Sequence, residues 1–387
     1  MAALGARLFI IIENSANKKI VAYNFDTAAW EDVFSTNDAI GTTSGVCWDG
    51  AYHLWWSHDV DYFKRLNLYD HSVSSFLSTL PNIGATHNYY NHNYNGLIYA
   101  CTDNVAGYFQ KFKHGAGVWA VEASPGNDGV AITIPLSAAN KPGNTFWAQG
   151  NAVGFKEWDP VAGTWTARTN APGANNFGDI AWANEFVFTN GTALQLYKYN
   201  VNTNAWATMA PRPFNAISRG QGLTWDYNDA GYLYWLNTIN QTIYIYDIAG
   251  DAWSAFATYP SALTAWSSLV YVPRIRFLYL NSSGNVVANP MNLGAEFSGV
   301  TGEGVLYYVK ALEAVGATTL TIEVDGRTDA DSLMDVAPDV AGVPGAWGAS
   351  VNLGAIAANG TVPFWIRIDA SGAPTTQPRC GRLTLTT

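Results

Sequence analysis

The chain has 387 residues, a net charge of −10 and only 13% charged residues, about half the usual globular share. Aromatics reach 14%, with 16 Trp and 21 Tyr beside 36 Gly, a composition that favours β structure over helix and disfavours disorder. The 20 basic residues are scattered, which argues against a phosphate-tracking surface, so no nucleic-acid partner and no anionic membrane surface is expected.

The first element is the apolar run Leu8–Ile12. It is short for a signal-peptide core and reads as a β-strand. No run of 18 apolar residues occurs, so no membrane insertion is expected. From here an internal repeat organises the chain to about residue 297. Six segments share an aromatic, usually followed by Asp or Asn, and a second aromatic seven residues on. They are Tyr23-Asn24…Trp30, Tyr69-Asp70…Phe76, Phe112-Lys113…Trp119, Trp158-Asp159…Trp165, Tyr199-Asn200…Trp206 and Tyr246-Asp247…Trp253. The closing aromatics are spaced by 46, 43, 46, 41 and 47 residues. That period, with short alternating apolar runs, fits one four-stranded propeller blade, its strands lettered a to d from the axis outward.

In the unit closed by Trp253, strands are predicted at Gly222–Tyr227, Gly231–Asn237, Thr242–Asp247 and Ala252–Ala257. The Asp or Asn after the first aromatic can accept from backbone amides two residues on and start the c–d turn. The large, flat closing aromatic fills the wedge between neighbouring blades, which diverge outward. Trp30, Phe76, Trp119, Trp165, Trp206 and Trp253 are therefore expected as structural markers. The Trp content follows that logic, since 14 of 16 precede residue 298.

The spacing in Tyr246-Asp247…Trp253 resembles the kelch repeat. The resemblance implies an all-β chain with a kelch-like β-propeller over residues 1–297. The double glycine usual after strand b in kelch is absent, and Phe76 and Lys113 depart from the pattern. Asp159-Pro160-Val161-Ala162-Gly163-Thr164-Trp165 misses a sialidase Asp-box by one residue. The blade number is six or seven. Either Ser267–Val272 closes a six-bladed ring with the N-terminal unit, which has no room for its own strand a before Arg7, or it opens a thin seventh blade. The run Phe277-Leu278-Tyr279-Leu280-Asn281 echoes Tyr232-Leu233-Tyr234-Trp235-Leu236-Asn237, and this echo favours seven.

Residues 298–387 hold only two Trp and two Tyr. Alternating runs at Val305–Ala311, Thr318–Val324, Ser350–Leu353, Val362–Ile368 and Arg382–Thr386 predict a small C-terminal β-sandwich that serves attachment or oligomerisation. The strand Phe364-Trp365-Ile366-Arg367, followed by a Gly/Pro-rich turn and a Leu-rich last strand, resembles a module at the ends of tailed-phage virion proteins.

Catalytic patterns are sparse. No phosphate loop, GxSxG or HExxH occurs. A galactose-oxidase type of propeller would need copper held by Tyr and His. His87 and His92 are separated by an odd number, which sets them on opposite faces of a strand. Glu323, Asp325, Asp329, Asp331, Asp335 and Asp339 form an acidic cluster without EF-hand spacing and read as a solvated loop. The three cysteines, Cys47, Cys101 and Cys380, lie far apart and suggest no metal or disulfide framework. No cofactor, metal or enzymatic activity is expected.

Surface recognition remains. In a propeller the b–c and d–a loops share one end. That end is expected to carry His58, Asp59, Asp61, Asp103, Asn104, Asn175, Asn176, Arg212, Asn215 and Arg219, a set suited to sugar hydroxyls or polar peptide. The Pro-rich segment Ala210-Pro211-Arg212-Pro213-Phe214 would present side chains rigidly. The leading expectation is a non-enzymatic structural and recognition protein on the tail or head surface of a tailed-phage virion. Its partners would be other virion proteins, a host cell-surface glycan or protein, and further copies of itself. The alternatives are a secreted carbohydrate-binding or galactose-oxidase-like propeller and a kelch-type protein-binding scaffold.

Overall fold

Short apolar runs bounded by Asn, Asp and Gly fold here as consecutive antiparallel strands. The computed structural model describes residues 5–12, 18–36, 46–48, 53–58, 62–77, 89–94, 97–102, 109–113, 118–122, 130–133, 146–150, 154–159, 163–172, 180–183, 186–190, 194–214, 222–226, 231–263, 267–287, 291–292, 304–324, 327–328, 334–368 and 380–386. Among them there is no α-helix.

Six four-stranded antiparallel sheets occupy the repeat region. Sheet 1 joins Ser268–Val272 to Arg7–Ile12, Lys18–Asn24 and Ala29–Thr36. Sheet 2 holds Val46–Trp48, His53–His58, Tyr62–Asn67 and Val73–Leu77, and sheet 3 holds Tyr89–Tyr94, Leu97–Thr102, Phe109–Lys113 and Val118–Glu122. Sheet 4 holds Val130–Thr133, Phe146–Gly150, Phe155–Asp159 and Thr164–Ala167. Sheet 5 holds Ile180–Ala183, Phe186–Asn190, Leu196–Asn200 and Ala205–Met209. Sheet 6 holds Leu223–Trp225, Tyr232–Asn237, Thr242–Asp247 and Ala252–Thr258. The first strands of successive sheets lie beside one another in cyclic order, and that of sheet 6 meets Ser268–Val272 of sheet 1. This is a propeller-like arrangement. Ser268–Val272 and Leu8–Ile12 are buried on both faces, which explains why these strands read as continuous apolar runs rather than alternating ones.

The strand Ser268–Val272 pairs with the N-terminal strand, Leu8 opposite Tyr271 and Ile10 opposite Leu269. The echo strand Phe277–Asn281 builds no seventh sheet of this kind. It pairs with Val305–Ala311 in a separate five-stranded sheet, so its likeness to Tyr232–Asn237 reflects shared β patterning.

Register sharpens the repeat. In five sheets the two repeat aromatics face each other across strands c and d: Tyr23 and Trp30, Phe112 and Trp119, Trp158 and Trp165, Tyr199 and Trp206, Tyr246 and Trp253. In sheet 2 the equivalent pair is Leu66 and Val73. Tyr69 lies in the turn and Phe76 pairs with Phe63, so Phe76 does not hold the repeat position expected for it. Aliphatic residues fill that position, and a search for aromatics seven apart stops three residues later, at Tyr69 and Phe76, which do not pair.

The turn chemistry follows the expected pattern. Asn24, Asn67, Asn200 and Asp247 accept through Oδ1 from the amides of Asp26, Tyr69, Asn202 and Ala249, at 2.8–3.0 Å. The residue two before the closing position is left-handed in each described turn: Ala28 (φ 52°), His71 (56°), Gly163 (67°), Asn204 (54°) and Asp251 (48°).

The remaining strands form two sheets. Sheet 7 orders Phe277–Asn281, Val305–Ala311, Thr361–Ile368, Met334–Val340 and Val343–Pro344. Sheet 8 orders Met291–Asn292, Cys380–Thr386, Val315–Val324 and Arg327–Thr328, with Ser350–Ile356 also on Val315–Val324. Tyr307, Val309, Val336, Phe364 and Ile366 of one share a core with Leu320, Ile322, Val351, Ile356 and Leu383 of the other.

Met334–Val340 corrects the reading of an acidic loop. Asp335 is buried in this strand and accepts from both Nε and Nη2 of Arg367, at 2.8 and 2.6 Å. Asp339 accepts from Trp365 Nε1 at 2.8 Å. Thus Phe364 and Ile366 fill the core while, on the other face, Arg367 pairs with Asp335 of the neighbouring strand and Trp365 donates a hydrogen bond to Asp339. Glu323, Asp325, Asp329 and Asp331 have no described side chains.

Candidate functional site

The antiparallel order fixes a polarity. In every ring sheet the a–b and c–d turns lie at one end, and the b–c turn and d–a connection at the other. Ser268–Val272 is an a strand, so the chain leaves it at the a–b end and enters sheet 7 at Phe277. Arg274 lies 3.6 Å from Asp26, in the c–d turn of sheet 1, which places the C-terminal sheets at that same end. The b–c end points away from them.

That end is best described in sheets 5 and 6. Asn237 and Asn240 accept from the amides of Ile239 (3.0 Å) and Thr242 (3.1 Å), making two successive side-chain turns. Asn240 Nδ2 donates to the Tyr244 hydroxyl at 3.0 Å, and Gln241 Nε2 donates to the Ile239 carbonyl at 2.6 Å. The turn so fixed holds Ile239 at 74% exposure. Beside it Tyr244 stacks on Phe214 with centroids 4.5 Å apart, and Pro211 and Pro213 stand exposed. Leu-like exposure is common on surfaces, but an aliphatic side chain at the tip of a hydrogen-bonded turn is pre-ordered for contact. Sequence reasoning missed Ile239. The Asn237-Thr238-Ile239-Asn240 spacing, two Asx turns in tandem, is the signal that would have found it.

Of the ten expected loop residues, Arg212 is the one with a described side chain, and it is not presented to solvent. It is 4% exposed, with its guanidinium 4.9 Å from the Trp235 ring and 5.7 Å from Phe214. Pro211 and Pro213 face outward and Arg212 and Phe214 inward, an alternation that makes the segment an inter-sheet plug. His58 ends the second strand of sheet 2, at the expected end, and its side chain lies outside the described residues. Asp59, Asp61, Asp103, Asn104, Asn175, Asn176, Asn215 and Arg219 also lie outside them.

The repeat aromatics act between sheets. Trp206 Nε1 donates to the Thr169 carbonyl (2.7 Å), Trp253 Nε1 to that of Ala210 (3.1 Å) and Trp30 Nε1 to that of Thr258 (2.9 Å). Each acceptor lies at the end of strand d of the preceding sheet or within two residues after it, and the last bond runs from sheet 1 back to sheet 6. Two turns add a return bond: Asp251 Oδ1 accepts from Ala210 N at 2.7 Å, and Asn204 Oδ1 from Thr169 N at 3.3 Å. The same oxygens accept from the hydroxyls of Tyr246 and Tyr199. Burial, then the bond to Asp251, pushes the Tyr246 phenol well above its ordinary pKa. Burial likewise pushes Tyr199 up. These tyrosines stay neutral donors in a sheet-to-sheet clasp. The left-handed Asx two residues before Trp was legible in Asn204-Ala205-Trp206 and Asp251-Ala252-Trp253.

Among the described residues no three or more of His, Cys, Asp and Glu converge as a metal site. His87 lies outside the described residues and His92 lies in the strand Tyr89–Tyr94, its side chain not described. Cys47 is buried in the strand Val46–Trp48.

No family model matches the chain, and no curated protein matches it. Among solved structures, a nidogen/laminin complex matches with a TM-score of 0.53 and 9% identity, over 69% of this chain and 98% of that one. The matched chain is a β-propeller, and the likeness at this identity concerns the fold: the protein is all-β and propeller-like.

Proposed function

We propose that the protein is a non-enzymatic recognition protein of a tailed-phage virion, built as a six-bladed kelch-like propeller and a C-terminal β-sandwich. The sandwich begins near Arg276, earlier than residue 298, because Phe277–Asn281 pairs within it. The observation that carries the reading is the polarity of the ring. The C-terminal sheets leave from the c–d end, so the b–c end is free to meet a partner while the sandwich attaches the protein. Ile239, held outward by its tandem turns, supports that role for the free end. The ending Phe364-Trp365-Ile366-Arg367 supports the virion setting. The partner class is a host surface glycan or protein, or a neighbouring virion protein.

Mass spectrometry of purified particles is expected to find the chain at stoichiometric abundance. Particles that lack it would overturn the virion reading. Oxidation of a primary-alcohol sugar by the copper-loaded protein would instead favour the oxidase alternative.

A further inference from the structure

The clasp is absent from one junction by residue identity. In sheet 2 the closing position is Val73, whose side chain has no N–H to donate toward sheet 1. At that junction a second device is present. Val33 and Phe34 of sheet 1, Val46, Leu54, Trp56, Leu66, Leu68 and Val73 of sheet 2, and Val270 and Val272 of the closing strand form one contiguous apolar cluster. Ile275, Leu278 and Leu312, from the start of the C-terminal region and the turn after Val305–Ala311, belong to the same cluster and are buried. Polar contacts fix their position. Glu313 accepts from Arg274 at 2.8 Å and Arg276 at 2.6 Å, Arg274 also faces Asp26 of sheet 1, and Leu312 N donates to Arg276 O at 2.8 Å.

We infer that the C-terminal sheets are an integral staple of the ring: by inserting Ile275, Leu278 and Leu312 at the sheet 1–sheet 2 junction, they replace the tryptophan clasp that Val73 cannot make. The sheet 6–1, 4–5 and 5–6 junctions hold by indole-to-carbonyl bonds, whereas this one holds by burial of apolar surface supplied from outside the repeat. The closing strand Ser268–Val272 lies in the same cluster, so the staple also secures ring closure. This inference is independent of the virion reading.

Hydrogen exchange followed by mass spectrometry on the full chain tests it. Leu312→Ala leaves a cavity at the junction, and amides of Arg7–Ile12, Val46–Trp48 and His53–His58 are expected to exchange on the order of thirtyfold faster or more, with Ile180–Ala183 and Phe186–Asn190 unchanged. Trp253→Phe, as the opposite case, accelerates sheets 5 and 6 and spares sheet 2. If Leu312→Ala does not fold, Leu312→Val removes one methylene and gives the same pattern at about fourfold. Acceleration confined to residues 277–386 would overturn the inference, because the C-terminal sheets would then be an appendage. Uniform acceleration across all six sheets would also overturn it, because no junction would depend specifically on them.

Discussion

Trp253→Phe isolates the clasp between sheets 5 and 6. It deletes the 3.1 Å bond from Nε1 to the Ala210 carbonyl while keeping an aromatic ring against Tyr246 (centroids 4.8 Å), Trp235 (5.9 Å) and Phe214 (6.0 Å). A net hydrogen bond of this kind contributes about 0.5–1.5 kcal/mol. Loss of the second indole ring weakens the aromatic contacts and their burial, which brings the expected cost to about 1–3 kcal/mol. Asp251→Gly keeps the left-handed backbone at φ 48° but removes the oxygen that bonds Ala210 N and the Tyr246 hydroxyl. Because Asp251 is exposed, its expected cost is about 1–2 kcal/mol. Both side chains grip the same residue of the neighbouring sheet, so the double variant should depart from additivity by about 0.5 kcal/mol or more. Urea unfolding followed by tryptophan fluorescence measures all three. A Trp253→Phe cost below about 0.5 kcal/mol, or strictly additive costs, would refute the clasp as a coupled device.

Other expectations follow from single contacts. Arg367→Met leaves Asp335 buried without its cation and should cost about 1–3 kcal/mol in thermal unfolding, while Arg367→Lys should recover part of it. Partial burial pushes the Glu313 carboxyl up, but the hydrogen bonds and charges of Arg274 and Arg276 outweigh this and hold it below the ordinary range. Its folded pKa is thus depressed, so its contribution is present above the unfolded value of about 4.3 and lost as pH falls through the folded one. Glu313→Gln should therefore flatten the stability–pH curve below about pH 4.5 and leave a smaller acid loss than the wild type. Ile239→Ser should leave the unfolding midpoint within about 0.5 kcal/mol of wild type, because the side chain is mostly in water, yet weaken adsorption to the host surface in a cell-binding assay.

The sequence carried the strand content because alternation and turn residues are local signals. Thr242–Asp247 and Val305–Ala311 match their predicted bounds, and the Asx turns bond as their spacing implied. Long-range pairing was not local. Nothing within Phe277–Asn281 distinguishes a blade strand from an edge of sheet 7, since both want the same apolar alternation. Sheet 2 hid its register because Leu66 and Val73 fill the wedge without aromatic rings. Met334–Val340 read as a loop because two Asp and a Pro are poor strand formers alone; Arg367 and Trp365, thirty residues away, make the strand tolerable. Arg212 looked like a surface residue because burial of a cation needs partners, here Trp235 and Phe214, that the fold alone assembles.

Orientation is the most direct test of the proposed role. A cryo-electron microscopy reconstruction of the particle should place sheets 7 and 8 against the virion and turn the b–c end of the ring, with Ile239, outward. A ring bound to the particle through its b–c end, with the C-terminal sheets projecting into solvent, would contradict it.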